Sequence, residues 1–415
     1  MKKLWGNAFT HQPTKQVLGY CAGYDAKPFP ALDSLLLPSE IKVNLAHAEM
    51  LCESKIISSS ELKRLKSALH DAEKLALQGK FPLQGFEDMH SALESFLSKK
   101  TKAALKLHSG RSRNDLIATT TRLYLMQKTG EFACSLETLV AALEKTAAKH
   151  AGTPMPGFSH HRPAMPYTYG KWLQSYAAAF ARDAQSFKDF AKLYDECPLG
   201  ACAGFGTGFP IAPHSTAKKL GFEKSFSSSL DAVQQRWEAE ASFCFALSKT
   251  MNHCSQICES LIVLSMPEME LVTLPEEYCT GSSVMPHKKN PDFFEATKAK
   301  ASLAAGALSQ LVDAGKNSFT GYNRDSQWTK KALLNAIIEC EQAPALLADA
   351  IAKTIPNKEK MAAMAAGLTQ TAQAERLAMQ KGVPFRKAKE AVEKLLKKEA
   401  QSTATAPNSR KKTYI

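Results

Sequence analysis

The chain has 415 residues, 44% of them apolar and 22% charged, with a formal net charge of +13. That length exceeds what one hydrophobic core usually serves, so two or three domains or an elongated bundle with a shared core are expected, and the composition excludes a disordered or fibrous polymer. Ten scattered cysteines include no C-x-x-C pair and no cysteine–histidine spacing for zinc, so no metal is expected and the thiols read as reduced and cytoplasmic.

The opening MKKLWGNAFTHQ carries two lysines, but the apolar stretch behind them is too short and too polar for a signal-peptide core. No apolar run has the length to cross a bilayer, so no membrane partner is expected. Residues 381–415 hold ten Lys or Arg against three Glu, so +7 of the +13 sits there and +6 is left for the first 380 residues. No stacking aromatics interleave with those charges. A solvated basic helix with a frayed tail is therefore expected rather than a nucleic-acid grip.

In chain order, proline leaves three long blocks uninterrupted, at 83–153, 214–266 and 292–343. Proline breaks helices, so such blocks imply long helices or tight helical hairpins. From Asn114, the residues Ile117, Leu123, Leu125, Leu136, Leu139, Val140 and Leu143 follow a helical pattern with Gly130 as its weak point. Residues 166–195 form another through Trp172, Leu173, Tyr176, Phe180, Phe187 and Phe190. Residues 231–266 contain neither Gly nor Pro, and Val233, Trp237, Cys244, Leu247, Met251, Cys254, Cys258 and Leu261 make one stripe. That predicts a single helix on the order of 50 Å long. Phe294, Thr297, Ala301, Ala304, Leu308 and Leu311 repeat the pattern with small residues that allow close helix approach. Strand-like alternation is nearly absent.

The expectation is an all-α protein built on a bundle of very long helices. Its divisions are an N-terminal helical domain at 1–107, a central long-helix domain at 108–353, a C-terminal helical region at 354–400 and a basic tail at 401–415.

Polar clusters fall between the helices: LHSGRSRND (107–115), MPGFSHHRPAMP (155–166) and GSSVMPHKKNP (281–291). The Gly-rich PLGACAGFGTGFP (198–210) lacks the Gly-Lys-Ser/Thr ending and preceding strand of a phosphate loop, and reads as a flexible helix connection. In the third cluster Lys288, Lys289 and Asn290 stand before a helix start and suit an anion, while Ser282 and Ser283 follow Gly281 on a segment able to swing. The first cluster adds Ser112, Arg113 and Asn114, a hydroxyl, a guanidinium and an amide suited to carboxylate. The second offers His160 and His161, which titrate near neutrality, and Glu295 is a carboxylate able to make an imidazole more basic. Together they point to a small polyanionic substrate undergoing proton transfer without a cofactor.

GSSVMPHKKNPDFFEA resembles the signature loop G-S-S-x-M-P-x-K-x-N-P of the fumarase/aspartase superfamily. LHSGRSRND, MPGFSHHRPAMP and GYNRDSQWTK (321–330) resemble motifs of its argininosuccinate lyase family, and the likeness runs from LWGNAF to KGVPFRKAKEAV. The resemblance implies a cofactor-free helical homotetramer with a central twenty-helix bundle, whose active sites are each assembled from three subunits. It implies β-elimination of argininosuccinate to L-arginine and fumarate, the last step of arginine biosynthesis. By position, Ser282 is the proton-abstracting serine, His160 the histidine that serves the leaving nitrogen, Glu295 its carboxylate, and Lys288 and Asn290 the stabilisers of the carboxylate under attack. Ser112, Arg113, Asn114 and Ser159 would hold the succinyl half, Tyr322, Gln327 and Lys330 the arginine half. Cys21 stands where the family has a substrate-contacting serine.

Other departures are Leu116 in place of glutamine, His161 to Met165 in place of L-Q-x-A-Q, and Lys389 in place of histidine. Two further readings stay open: a sister lyase releasing fumarate from another N-substituted aspartate, and a catalytically silent protein of the same fold.

Overall fold

The computed structural model describes residue 11 and residues 13–22 and 31–404; LWGNAF and residues 405–415 of the basic tail lie outside them. Helices dominate, as expected, and none among the described residues is long and apolar enough to cross a membrane. The chain divides into two compact units. One holds the residues up to Leu143 with Tyr176–Val263 and Leu274–Thr354; the other holds Glu144–Ser175, Leu264–Thr273 and the residues from Ile355 onward.

Three long helices, Arg113–Lys149, Tyr169–Leu193 and Arg236–Ser265, give the first unit its core. Phe132, Phe187 and Phe243, one from each, are buried against one another with ring centroids 5.0 to 6.0 Å apart. Each such aromatic contact is worth about 1 kcal/mol beyond the area it buries. Asp292–Gly315 packs on Thr329–Cys340, and its buried Ala301, Ala304 and Ala307 are small enough to let neighbouring helices come close. Leu37–Glu53 and Ser59–Leu77 form a helical hairpin, the second opened by a capping box between Ser58 and Glu61.

Gly130 does not break its helix: Arg113–Lys149 runs through it, because buried Leu125, Phe132 and Leu136 hold both flanks to the core. The stripe expected as one helix from 231 is two, Ser229–Gln234 and Arg236–Ser265. The glutamine side chains at the break serve other segments: Gln235 accepts from Arg122 at 3.1 Å, and Gln234 accepts from the Gly321 amide at 2.6 Å.

In the second unit the MPGFSHHRPAMP cluster is not a loop but an antiparallel hairpin, Pro154–Ser159 against Arg162–Thr168. Its three prolines hid the alternation from sequence reading. Ser159 pairs with Arg162, leaving His160 and His161 as a two-residue turn with φ of 51° and 58°. Both are left-handed, as the turn that matches strand twist requires, without the usual Asn-Gly. The hairpin packs on Lys358–Ala366, and Gly170 follows it.

A Cβ at Gly170 would lie 2.6 Å from the Ala147 carbonyl oxygen and 2.8 Å from the Ala151 Cα, backbone that cannot move aside, whereas at Gly130 it would meet nothing within 4 Å. Gly170→Ala is expected to cost about 1–3 kcal/mol in urea unfolding. Gly130→Ala is expected to gain up to about 1 kcal/mol. Equal midpoints for the two variants would contradict this packing.

Candidate active site

The LHSGRSRND segment is shaped from below. Gly110 has φ 70°, and a Cβ there would lie 2.4 Å from Ile211 Cγ2, so only glycine fits. Arg111 turns inward and donates to Asn44 Oδ1 at 2.8 Å, while Asn44 donates to the Glu40 carbonyl at 2.9 Å. Glu40 in turn pairs with His90 at 2.7 Å. His47 Nε2 is 3.0 Å from the Ser109 carbonyl oxygen, and burial, followed by the charge of Arg111, holds the ring's pKa well below its ordinary value. The ring is therefore neutral and donates.

Asp115 fastens the same segment from the other side. Its fully buried carboxylate accepts from the Ser112 amide at 2.8 Å and from the Gly200 and Cys202 amides at 2.9 and 2.8 Å. Burial pushes its pKa up to about 6, against the pull of those three amides and of Arg111. The Gly-rich run is thus no slack connection; its glycines free amides that the carboxylate collects.

Above this floor opens a cleft of about 180 Å³. Arg113 and Asn114 from one motif and Tyr322, Gln327 and Lys330 from another line it together, although two hundred residues of chain separate them. Residues that sequence reading missed complete the wall: Glu87, Asp88, Arg236 and Arg324. Arg113 donates to Asp88 and, at 3.3 Å, to Glu87. Lys330 donates to Asp33 at 2.5 Å. Asp88 also caps Met89–Lys100, taking the Ser91 amide at 2.9 Å and its hydroxyl at 2.6 Å. Burial raises the Asp88 pKa, but these bonds and Arg113 outweigh it and keep the carboxyl below its usual range. A capping residue ahead of a helix was the only sequence signal there, and it speaks of structure. A wider hollow of about 440 Å³ adjoins, sharing Glu87, Asp88, Arg324, Gln327 and Lys330 and adding Phe86 and Trp328.

The GSSVMPHKKNP loop is closed at its base, where Thr280–Gly281 pairs with Lys289–Asn290. Ser282 Oγ accepts from the backbone amides of Val284 at 3.2 Å and Met285 at 3.0 Å, so two fixed N–H dipoles converge on that oxygen. Lys289 is taken by Glu276 at 2.5 Å, while Lys288 is exposed on the loop. Asn290 is half-buried and donates to the Gly281 carbonyl at 3.4 Å; Glu295 is exposed on the first turn of Asp292–Gly315. In the second unit, Ser159 and His160 stand exposed at the hairpin tip.

Two departures from the family pattern fall outside the cleft wall. Leu116 is fully buried against Val43, Cys197 and Leu199 and is a core residue. Cys21 is half-buried, its thiol pushed up to about 12 by burial and by the Asp292 carboxylate, which makes it a poor nucleophile. Among the described residues no His, Cys, Asp and Glu cluster could hold a metal ion.

A family model described as Lyase matches residues 35–306. The argininosuccinate lyase of Polynucleobacter necessarius subsp. necessarius is 37% identical over 394 residues, covering 94% of this chain and 81% of that one. The argininosuccinate lyase of Janthinobacterium sp. is 37% identical over 373 residues, covering 89% and 80%. Among solved structures, EDDS lyase in complex with formate matches 96% of this chain and 78% of its own with a TM-score of 0.83 at 24% identity.

Asp115→Ala would strand three amides, that of Gly200 buried and those of Ser112 and Cys202 half-buried, and is expected to cost about 3 kcal/mol in urea unfolding. An unchanged midpoint would show that other contacts hold these loops. Because the His47 pKa is depressed in the fold, its stabilisation is complete above about pH 6.5 and is lost as pH falls below it, when the unfolded chain takes up the proton. His47→Gln is expected to remove about 1.4 kcal/mol per pH unit from the slope of stability between pH 6.5 and 5. Identical slopes in the two proteins would contradict a buried neutral ring.

Proposed function

We propose, from the premise that this chain belongs to the argininosuccinate lyase family, that it splits argininosuccinate into L-arginine and fumarate by β-elimination. The observation that carries the reading is the cleft in which Arg113 and Asn114 face Tyr322, Gln327 and Lys330, a cationic and polar lining suited to a tricarboxylate. The carbon acid next to a succinyl carboxylate is weak, and its ionisation is feasible only where the charge pushed onto that carboxylate is met by fixed donors. Lys288 and Asn290 take that role.

Ser282 takes the proton as its serinate. Two amides already aimed at Oγ favour the anion, and closure of the 281–291 loop supplies water exclusion and the Lys288 charge. The electron pair of the C–H bond becomes the new C=C bond, and the pair of the C–N bond leaves with nitrogen. His160, with Glu295 as its carboxylate partner, gives that nitrogen a proton. Ser112, Arg113, Asn114 and Ser159 hold the succinyl carboxylates, with Arg113 exchanging Glu87 and Asp88 for the ligand. The reaction has no redox step and needs no cofactor.

Ser282, His160 and Asn114 meet in this scheme as parts of a homotetramer whose subunits share sites. The 1–107, 108–353 and 354–400 divisions serve as its N-terminal, bundle and C-terminal parts, and the cytoplasm as its compartment. Purified protein given argininosuccinate is expected to release fumarate, read as new ultraviolet absorbance. Ser282→Ala and His160→Asn are each expected to lower kcat by roughly 10³-fold. Absence of fumarate from the wild-type tetramer would overturn the reading, and fumarate only from aspartates whose N-substituent lacks a guanidinium would favour a sister lyase.

A further inference from the structure

The cleft holds four cationic side chains, and three are already committed. Arg113 pairs with Asp88 and Glu87, Arg324 lies 3.6 Å from Glu87, and Lys330 pairs with Asp33. Arg236 differs. It lines the cleft yet is only 5% exposed, and its Nε has no hydrogen-bond partner. Its guanidinium lies over the Tyr322 ring, 5.5 Å from the centroid. Glu240, one turn further along the helix, attracts it, but Glu240 Oε2 is itself unpartnered. The guanidinium also has a side-chain hydrogen bond with Tyr322, but a buried guanidinium beside a polar cleft with its Nε unpartnered is costly, and an anion in the cleft would offset that cost.

The fold goes to some length to put it there. Arg236 is the first residue after the break at Gln235, and Gln234 accepts from the Gly321 amide at 2.6 Å and from the Thr320 hydroxyl at 2.9 Å. The same break that frees Arg236 therefore draws the Tyr322 segment onto it. Arg236, Tyr322 and Gln327 share one wall, on the side assigned above to the arginine half of the substrate.

We propose that Arg236 binds the α-carboxylate of the arginine half and so makes the site specific for N-substituted aspartates whose substituent ends in an amino acid. The inference rests on the lyase reading and adds to it a residue that no motif contained. A guanidinium offers a planar fork to a carboxylate, and Tyr322, whose ring lies under the Arg236 guanidinium, holds it at the cleft wall.

The test pairs argininosuccinate with its decarboxylated counterpart, the succinyl adduct of agmatine, and follows fumarate release. Wild-type kcat/KM is expected to fall on the order of 10- to 100-fold when the carboxylate is missing. Arg236→Gln is expected to lose a similar factor on argininosuccinate, mainly through KM, and far less on the decarboxylated substrate; Arg236→Lys, with a charge but no fork, lies between. Equal losses on both substrates would mean that Arg236 only props up Tyr322, and would overturn the proposal. So would a wild-type enzyme that cleaves both equally well, a comparison that needs no variant to fold. Fumarate from neither substrate would instead remove the lyase reading beneath it.

Discussion

A buried carboxylate that gathers backbone amides from two distant segments is the interaction on which the candidate site depends. Asp115 takes the Ser112 amide from its own loop and the Gly200 and Cys202 amides from the Gly-rich run. Burying such a charge is expensive, and burial pushes its pKa up to about 6 even against the amides that donate to it. The amides offset that cost, and in return the start of the Arg113–Lys149 helix has one position. Arg113 and Asn114 are the first two residues of that helix, so their placement follows from the anchor rather than from loop flexibility.

The same economy of paired charges governs the cleft. Arg113, Arg324 and Lys330 do not wait as bare cations; Glu87, Asp88 and Asp33 hold them. In the proposed reaction a ligand carboxylate entering here exchanges one anion for another, so the desolvation of each cation has largely been met in folding. Arg236 is the exception, and Tyr322 satisfies it only in part. At the other loop, two backbone amides aim fixed dipoles at Ser282 Oγ, the oxygen proposed to take the proton.

Much of this was legible before any coordinates. Helical periodicity marked the long segments because burial of one stripe is a local pattern, and the chemistry of the loops was written in residue types that serve anions and protons. Where the reading failed, the cause was tertiary. Phe132 and its partners carry helix across Gly130, a penalty that a few kcal/mol of core burial outweighs. His160 and His161 make a hairpin turn at positive φ where Asn-Gly is the usual signal, and three prolines mask the strands beside it.

By itself the sequence determined the helical class, the three motif clusters, the family and the residue types offered as candidates for handling protons and carboxylates, because each of these is carried by neighbours along the chain. The tertiary structure alone decided that Asp115 is an anchor, that Asp88 and Glu87 hold Arg113, and that a break at Gln235 delivers Arg236 to the cleft. A buried charge has its meaning from whatever lies against it in space, and those partners come from segments that no local pattern connects.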